Sequence, residues 1–188
     1  METVARHQHA HELKGVSPTS YIGRDFARQD FSKADLRGRT FAGAQLQYAV
    51  FRGANLQGVS LQDADIRGAI FDGADLSGAG LQGVLAQGAY FRRARLSRAN
   101  FRQALLVSAH LVGAIVQEAD FTAANLEWAW LADVDFQQAI VSCALFLNAR
   151  GVSAIVRRDI EARGGFTGTR PVILGRELYE GPVAEEES

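Results

Sequence analysis

From Phe26 to Phe146 every fifth residue is apolar, and no other feature of the sequence constrains the fold as tightly. These 25 positions hold ten Phe, eleven Leu, two Val, one Ile and one Ala, Ala86. Two residues before each centre, from Ala44 to Ala144, all 21 positions are Ala or Val. Of the eleven Phe in the chain, only Phe166 lies outside these 25 positions. A helix repeats about every 3.6 residues and a strand every 2, so a period of five would scatter these side chains around either element. The period fits a backbone that turns a corner every five residues and returns each centre to a common axis.

Side-chain sizes support that arrangement. The centre fills the axis, and its partner two residues earlier is small because little volume remains. Ala86, the one small centre, is preceded by Val84 rather than Ala, so volume moves from one site to the other. Glycines two residues after a centre, such as Gly38 and Gly53, suit corners that require φ > 0. The first pentads carry Arg24, Gln29 and Arg39 at the small site, which predicts a less regular, more exposed first coil.

The segments ADLRG (34–38), ANLQG (54–58), ADIRG (64–68), ADLSG (74–78) and ANFRQ (99–103) resemble the pentapeptide repeat family. The resemblance covers residues 21–150 and implies an all-β fold: a right-handed, four-sided parallel β-helix with one pentad per side. Four pentads per coil would give about six coils, stacked at the ~4.8 Å spacing of paired strands.

Four segments are expected: an N-terminal arm (1–20), the repeat solenoid (21–150), a C-terminal capping helix (151–165) and an extended tail (166–188). Ser153 is the expected N-cap of a helix over 154–163, with Gly164 and Gly165 ending it. Ile155, Val156 and Ile160 are expected to cover the last coil, and Pro171–Leu174 to be extended. An apolar leader and an 18-residue apolar run are both absent, and the single cysteine, Cys143, excludes an intramolecular disulfide. A cytoplasmic location is the expectation.

Residues twenty apart share a face on this coil size, which turns the sequence into columns. The cluster Arg92, Arg93, Arg95, Arg98 and Arg102 resembles a nucleic-acid patch only when read linearly. In columns it spreads over three faces, with Arg92 beside Asp72, Arg95 beside Asp75 and Arg98 beside Glu118, so direct nucleic-acid binding is not expected. Another column reads Asp30, Val50, Ile70, Tyr90, His110, Trp130, and the neighbouring face adds Leu85, Leu105 and Leu145, with Trp128 near the edge. The consensus there is Asp or Asn. Such a stripe calls for cover by a terminal segment or for a partner, a second copy of the chain included. Val50, Ile70, Tyr90, His110, Trp130, Leu85, Leu105, Trp128 and Leu145 are therefore the candidate interface.

Catalytic, cofactor and metal sites are not expected. Gly78–Gly83 matches GxGxxG, but Leu81 within it is a lattice centre pointing inward, so the strand–helix context of a dinucleotide site is missing. His7, His9 and His11 alternate, yet this spacing alone does not define a metal geometry. Cys143 occupies a corner with no adjacent base to activate it. The leading functional expectation is a non-enzymatic protein-binding scaffold. The alternative is implied by the resemblance alone: some family members imitate DNA and bind DNA gyrase. Against it, residues 24–150 carry 13 basic and 12 acidic side chains, a net of +1. Duplex DNA carries about one negative charge per 1.7 Å. An acidic column of Asp35, Asn55 and Asp75 is the feature that would favour it.

Overall fold

The computed structural model describes residues 20–168 and, beyond them, the backbone of two short strands. Each pentad forms one side of a square coil. The residue before each centre makes a parallel bridge to the residue twenty further on, as in Gln45 to Asp65 to Leu85. The two hydrogen bonds of a rung are short: Leu46 N–H donates to Asp65 O at 2.7 Å, and Asp65 N–H to Ala44 O at 2.9 Å. Corners close locally, Ala44 N–H donating to Phe41 O at 2.9 Å. The third residue of these turns has positive φ, whether glycine, as at Gly38 (63°), or not, as at Ala123 (57°) and Cys143 (57°); Gln138 is the exception.

Bridges sort the outward residues into four faces. Face one runs Ser20, Thr40, Ser60, Gly80, Asn100, Asp120, Ile140, and face two runs Asp25, Gln45, Asp65, Leu85, Leu105, Asn125, Leu145. Face three is Asp30, Val50, Ile70, Tyr90, His110, Trp130, Arg150. Face four runs Asp35, Asn55, Asp75, Arg95, Ile115; Asp135, next on this face, forms no bridge.

Inside, the centres and their small partners form one continuous core from Tyr21 to Ala149, joined by Ile160. Phe31, Phe51, Phe71 and Phe91 stack in succession, with ring centroids 4.9, 4.8 and 5.1 Å apart. The rings repeat at the spacing of the main-chain ladder that carries them. Leu81 is fully buried, so the GxGxxG match is a stretch of repeat with no helix after it.

The first coil corrects one expectation. Its side chains are more exposed, with Arg24 and Gln29 open to solvent and Phe26 only half-buried. Its backbone is nevertheless as regular as the rest: Tyr21 N–H reaches Thr40 O at 2.7 Å, and Phe26 N–H reaches Gln45 O at 2.7 Å. Tyr21 extends the lattice one pentad earlier, stacked on Phe41 at 4.9 Å. The rungs depend on main-chain groups, so a poor residue at the small site costs packing and leaves the ladder intact.

At the other end the helix α1 (Ala154–Ala162) begins at Ser153, whose side chain accepts from Val156 N–H. Ile160 is fully buried and Val156 packs against the core, whereas Ile155 is 80% exposed and takes no part in the cover. Ile155 lies five residues from Ile160, about 500° around a helix, which turns it to the opposite side. Arg157 and Arg163 each donate to a carbonyl of the last coil, Ala149 O at 2.9 Å and Ala139 O at 2.8 Å. After Gly164 the chain re-enters the stack: Phe146 N–H donates to Phe166 O at 2.7 Å, and Phe166 bridges Leu145. Phe166 comes twenty residues after Phe146, in numerical phase with the centres. The inserted helix nevertheless shifts it one place, so that it pairs with Leu145 at the outward position and supplies a further rung. Strands β1 (Val172–Leu174) and β2 (Glu177–Tyr179) then pair antiparallel. The N-terminal arm with His7, His9 and His11, and the final AEEES, lie outside the described residues. No helix among the described residues is long and apolar enough to cross a membrane.

Candidate functional site: a stacked aromatic face

Parallel rungs hold outward side chains of one column in register, so aromatic residues twenty apart are stacked by the backbone. On face three Tyr90 and His110 lie 4.6 Å apart at 8° between planes. His110 and Trp130 follow at 5.9 Å and 9°. Arginines sit over the two outer rings of this column, Arg92 5.0 Å from the Tyr90 centroid and Arg150 4.8 Å from that of Trp130. Val50 and Ile70 continue the column towards the first coil. Burial, followed by the charge of Arg92, holds the His110 imidazole below its usual pKa, with Asp72 opposing the shift. The ring is therefore biased towards its neutral form, which suits a stacked apolar column.

The other candidates flank this column. Leu85, Leu105 and Leu145 stand on face two, though Asn125 interrupts the row between Leu105 and Leu145. Trp128 lies at the corner between the two faces, 48% exposed, close in sequence to Trp130 at 41%. Leu105 is 37% exposed, while Leu85 and Leu145 are half-buried. In the outward columns, two exposed apolar residues lie outside the candidate set, Ile115 on face four and Ile140 on face one. Each stands where the consensus has Asp or Asn, the same signal that marks the candidates.

Ion pairing divides the surface. Arg37 pairs with Asp35 at 2.7 Å, Arg67 with Asp65 at 2.6 Å, Arg98 with Glu118 at 2.9 Å and Arg102 with Asp120 at 3.2 Å. Arg95 approaches Asp75 at 3.7 Å. Arg92 does not pair as expected from its column: Asp72 accepts from the Arg92 backbone N–H at 3.1 Å, and the guanidinium turns to Tyr90 instead. The hydrogen bond from Arg37 pulls the Asp35 carboxyl down to about 2. Burial would raise Asp65 and Asp75, but hydrogen bonds outweigh it and hold both below the usual carboxylate range. The acidic column of Asp35, Asn55 and Asp75 is thus real as geometry, but its two charges are offset by Arg37 and Arg95.

Elsewhere, a shallow hollow of about 390 Å³ lies at the corner between faces four and one, lined by Gln57, Ser77, Ser97, Arg98, Gln117 and Glu118. The Arg98–Glu118 pair is part of that lining. Cys143 is an exposed corner residue whose N–H donates to Gly164 O at 2.6 Å. Among the described residues no group of three His, Cys, Asp or Glu could hold a metal ion.

The family description pentapeptide repeats matches the chain in eight copies, over residues 38–73, 74–111, 87–122 and 99–138. The matched stretches together run from 38 to 138, more than half of the chain. The chain belongs to the pentapeptide repeat family. Its repeats form the coils described above, and its family consists generally of non-catalytic scaffolds. Among solved structures it is similar to HetL, a pentapeptide repeat protein involved in heterocyst differentiation regulation from the cyanobacterium Nostoc sp. strain PCC 7120. That match has 22% identity over 78% of this chain and 68% of HetL, with a TM-score of 0.48. Full-length QnrB1, a plasmid-mediated fluoroquinolone resistance protein, matches at 22% identity over 79% of this chain and 89% of its own, with a TM-score of 0.34. Rfr23 from the cyanobacterium Cyanothece 51142 matches at 18% identity over 75% of this chain and 93% of its own, with a TM-score of 0.35. Curated proteins gave no match.

Proposed function

We propose that this pentapeptide repeat protein is a non-enzymatic binding scaffold that receives another protein on face three and its edge with face two. The observation that carries the reading is the stacked column of Tyr90, His110 and Trp130 beside Trp128 and Leu105. The main-chain ladder fixes these rings in place, so docking a partner costs little side-chain entropy. Tyr, Trp and Arg are also the residue types that most often dominate binding energy.

Trp130→Glu and Tyr90→Glu test the reading, because both residues point outward and the core beneath them is unchanged. Each variant is expected to fold with an unaltered unfolding midpoint and to lose at least tenfold in partner retention during co-purification from the native host. Equal retention by both variants would refute a role for this face. Sedimentation velocity tests the homodimer version: a monomer at all concentrations removes it.

The DNA-mimic alternative draws little support from the surface, since two of the three face-four carboxylates, Asp35 and Asp75, are offset by arginines. A gyrase supercoiling assay with the purified protein is expected to show no effect.

A further inference from the structure

The cations of the solenoid are segregated by pairing. Arg37, Arg67, Arg95, Arg98 and Arg102 all have a carboxylate within ion-pair distance. Seven others, Arg24, Arg28, Lys33, Arg52, Arg92, Arg93 and Arg150, form no ion pair among the described residues. The rungs place six of the seven on face three or at its two corners, while Arg24 stands at the corner of faces one and two. Arg28 is at the corner with face two, Arg150 is on the face, and the remaining four follow face-three centres at the corner with face four. The carboxylates of the same region are Asp30, Asp72, Glu127 and Asp133, which leaves the six in excess. The apolar stripe is therefore edged with positive charge along its corner with face four.

Resting on the scaffold reading of this face, we infer that its partner presents an acidic, extended segment carrying apolar side chains, laid lengthwise along face three. The apolar side chains would meet the ring edges and Leu105, and the carboxylates would meet the bordering cations. Nucleic acid has the right charge but the wrong fit. Base recognition on a neutral platform needs free ring faces, whereas His110 is stacked on both sides and the outer rings carry arginines. From residue 30 to residue 150 the face spans six coil spacings, about 29 Å at ~4.8 Å each, the length of about nine extended residues.

The test uses the full chain and a fluorescein-labelled peptide of about ten alternating Glu and Leu residues, a length set by that span. Binding is read by anisotropy and by tryptophan emission, since the chain's two tryptophans, Trp128 and Trp130, both lie at this face. The Glu–Leu peptide is expected to bind, to shift the emission and to weaken with salt. Its Lys–Leu counterpart and a single-stranded oligonucleotide of equal length are expected to bind at least tenfold more weakly. Arg92→Glu with Arg150→Glu should lower Glu–Leu affinity at least tenfold while the unfolding midpoint holds. Equal binding of the Lys–Leu peptide, tighter binding of the oligonucleotide, or indifference to the double substitution would each overturn the inference. Binding seen only after removal of residues 180–188 would also overturn it, making the chain's own Glu185–Glu187 the occupant. A native partner that is lost with Trp130→Glu but not displaced by the Glu–Leu peptide would refute the acidic chemistry and leave the scaffold reading standing.

Discussion

Positive φ at the corners sets two opposite predictions for glycine and alanine. Ala123 is exposed and held at φ 57°, a conformation that costs a residue with a Cβ about 1–2 kcal/mol. Ala123→Gly removes that strain and adds back about 0.5–1 kcal/mol of unfolded-state entropy. A net gain of about 0.5–1 kcal/mol is expected in urea unfolding. Gly151 is the reverse case. It sits at φ 79°, and an added Cβ would lie 2.6 Å from the backbone nitrogen of Ala132, which cannot swing away. Gly151→Ala is expected to cost more than about 2 kcal/mol, the sum of strain and clash. His110 carries a pH prediction. Its folded pKa is below the unfolded one, so its contribution to stability is fully present above the unfolded value of about 6.5. That contribution falls as pH drops towards the folded value, where the half-buried ring must take up a proton. Arg92→Ala removes a repelling charge, so the imidazole pKa, followed by NMR, is expected to rise in the variant. A fall would contradict the assigned cause.

The cap was legible in the sequence to within one residue because its signals are local: Ser153 before an apolar turn and two glycines after it. Two parts of it were not. Ile155 was expected inside and lies outside, since which face of a short helix meets the stack depends on how the chain crosses the coil end. Phe166 looked like a residue beyond the repeat, yet it forms a rung with Leu145 after a helical insertion that no periodicity reports. The apolar columns were legible because a fixed coil of twenty residues converts sequence spacing directly into neighbours. The pairing state of individual cations was not, because Arg92 had both Asp72 and the Tyr90 ring within reach and its rotamer decides between them. At this scale Ile160→Ala is the decisive substitution. It deletes the fully buried side chain through which α1 joins the core. Urea unfolding followed by circular dichroism is expected to show a loss of about 2–5 kcal/mol. Ile155→Ala, five residues earlier and exposed, should change stability by less than about 0.5 kcal/mol.

A stack in which each coil touches only its neighbours should behave as a sum of coil and interface contributions, so whole coils are removable. Deleting residues 56–75 joins Asn55 to Leu76, the residue that follows Asn55's own bridge partner Asp75, so the five-residue phase is kept. Phe51 would then stack under Phe91 and Val50 under Tyr90, leaving every face continuous. That variant is expected to fold with an unchanged tryptophan emission and a lower midpoint. Its urea m-value should fall by about an eighth, the share of 20 in the 149 described residues. Deleting residues 59–75 removes three residues fewer, but it places Leu76 at the small interior site that Val59 fills. Every later centre is then out of phase with the axis, and the Ala sites receive side chains they have no volume for. The shorter deletion is thus expected to be the more damaging, with loss of the cooperative transition and aggregation on size exclusion. If the two deletions behaved alike, the five-residue phase would not be what specifies this fold.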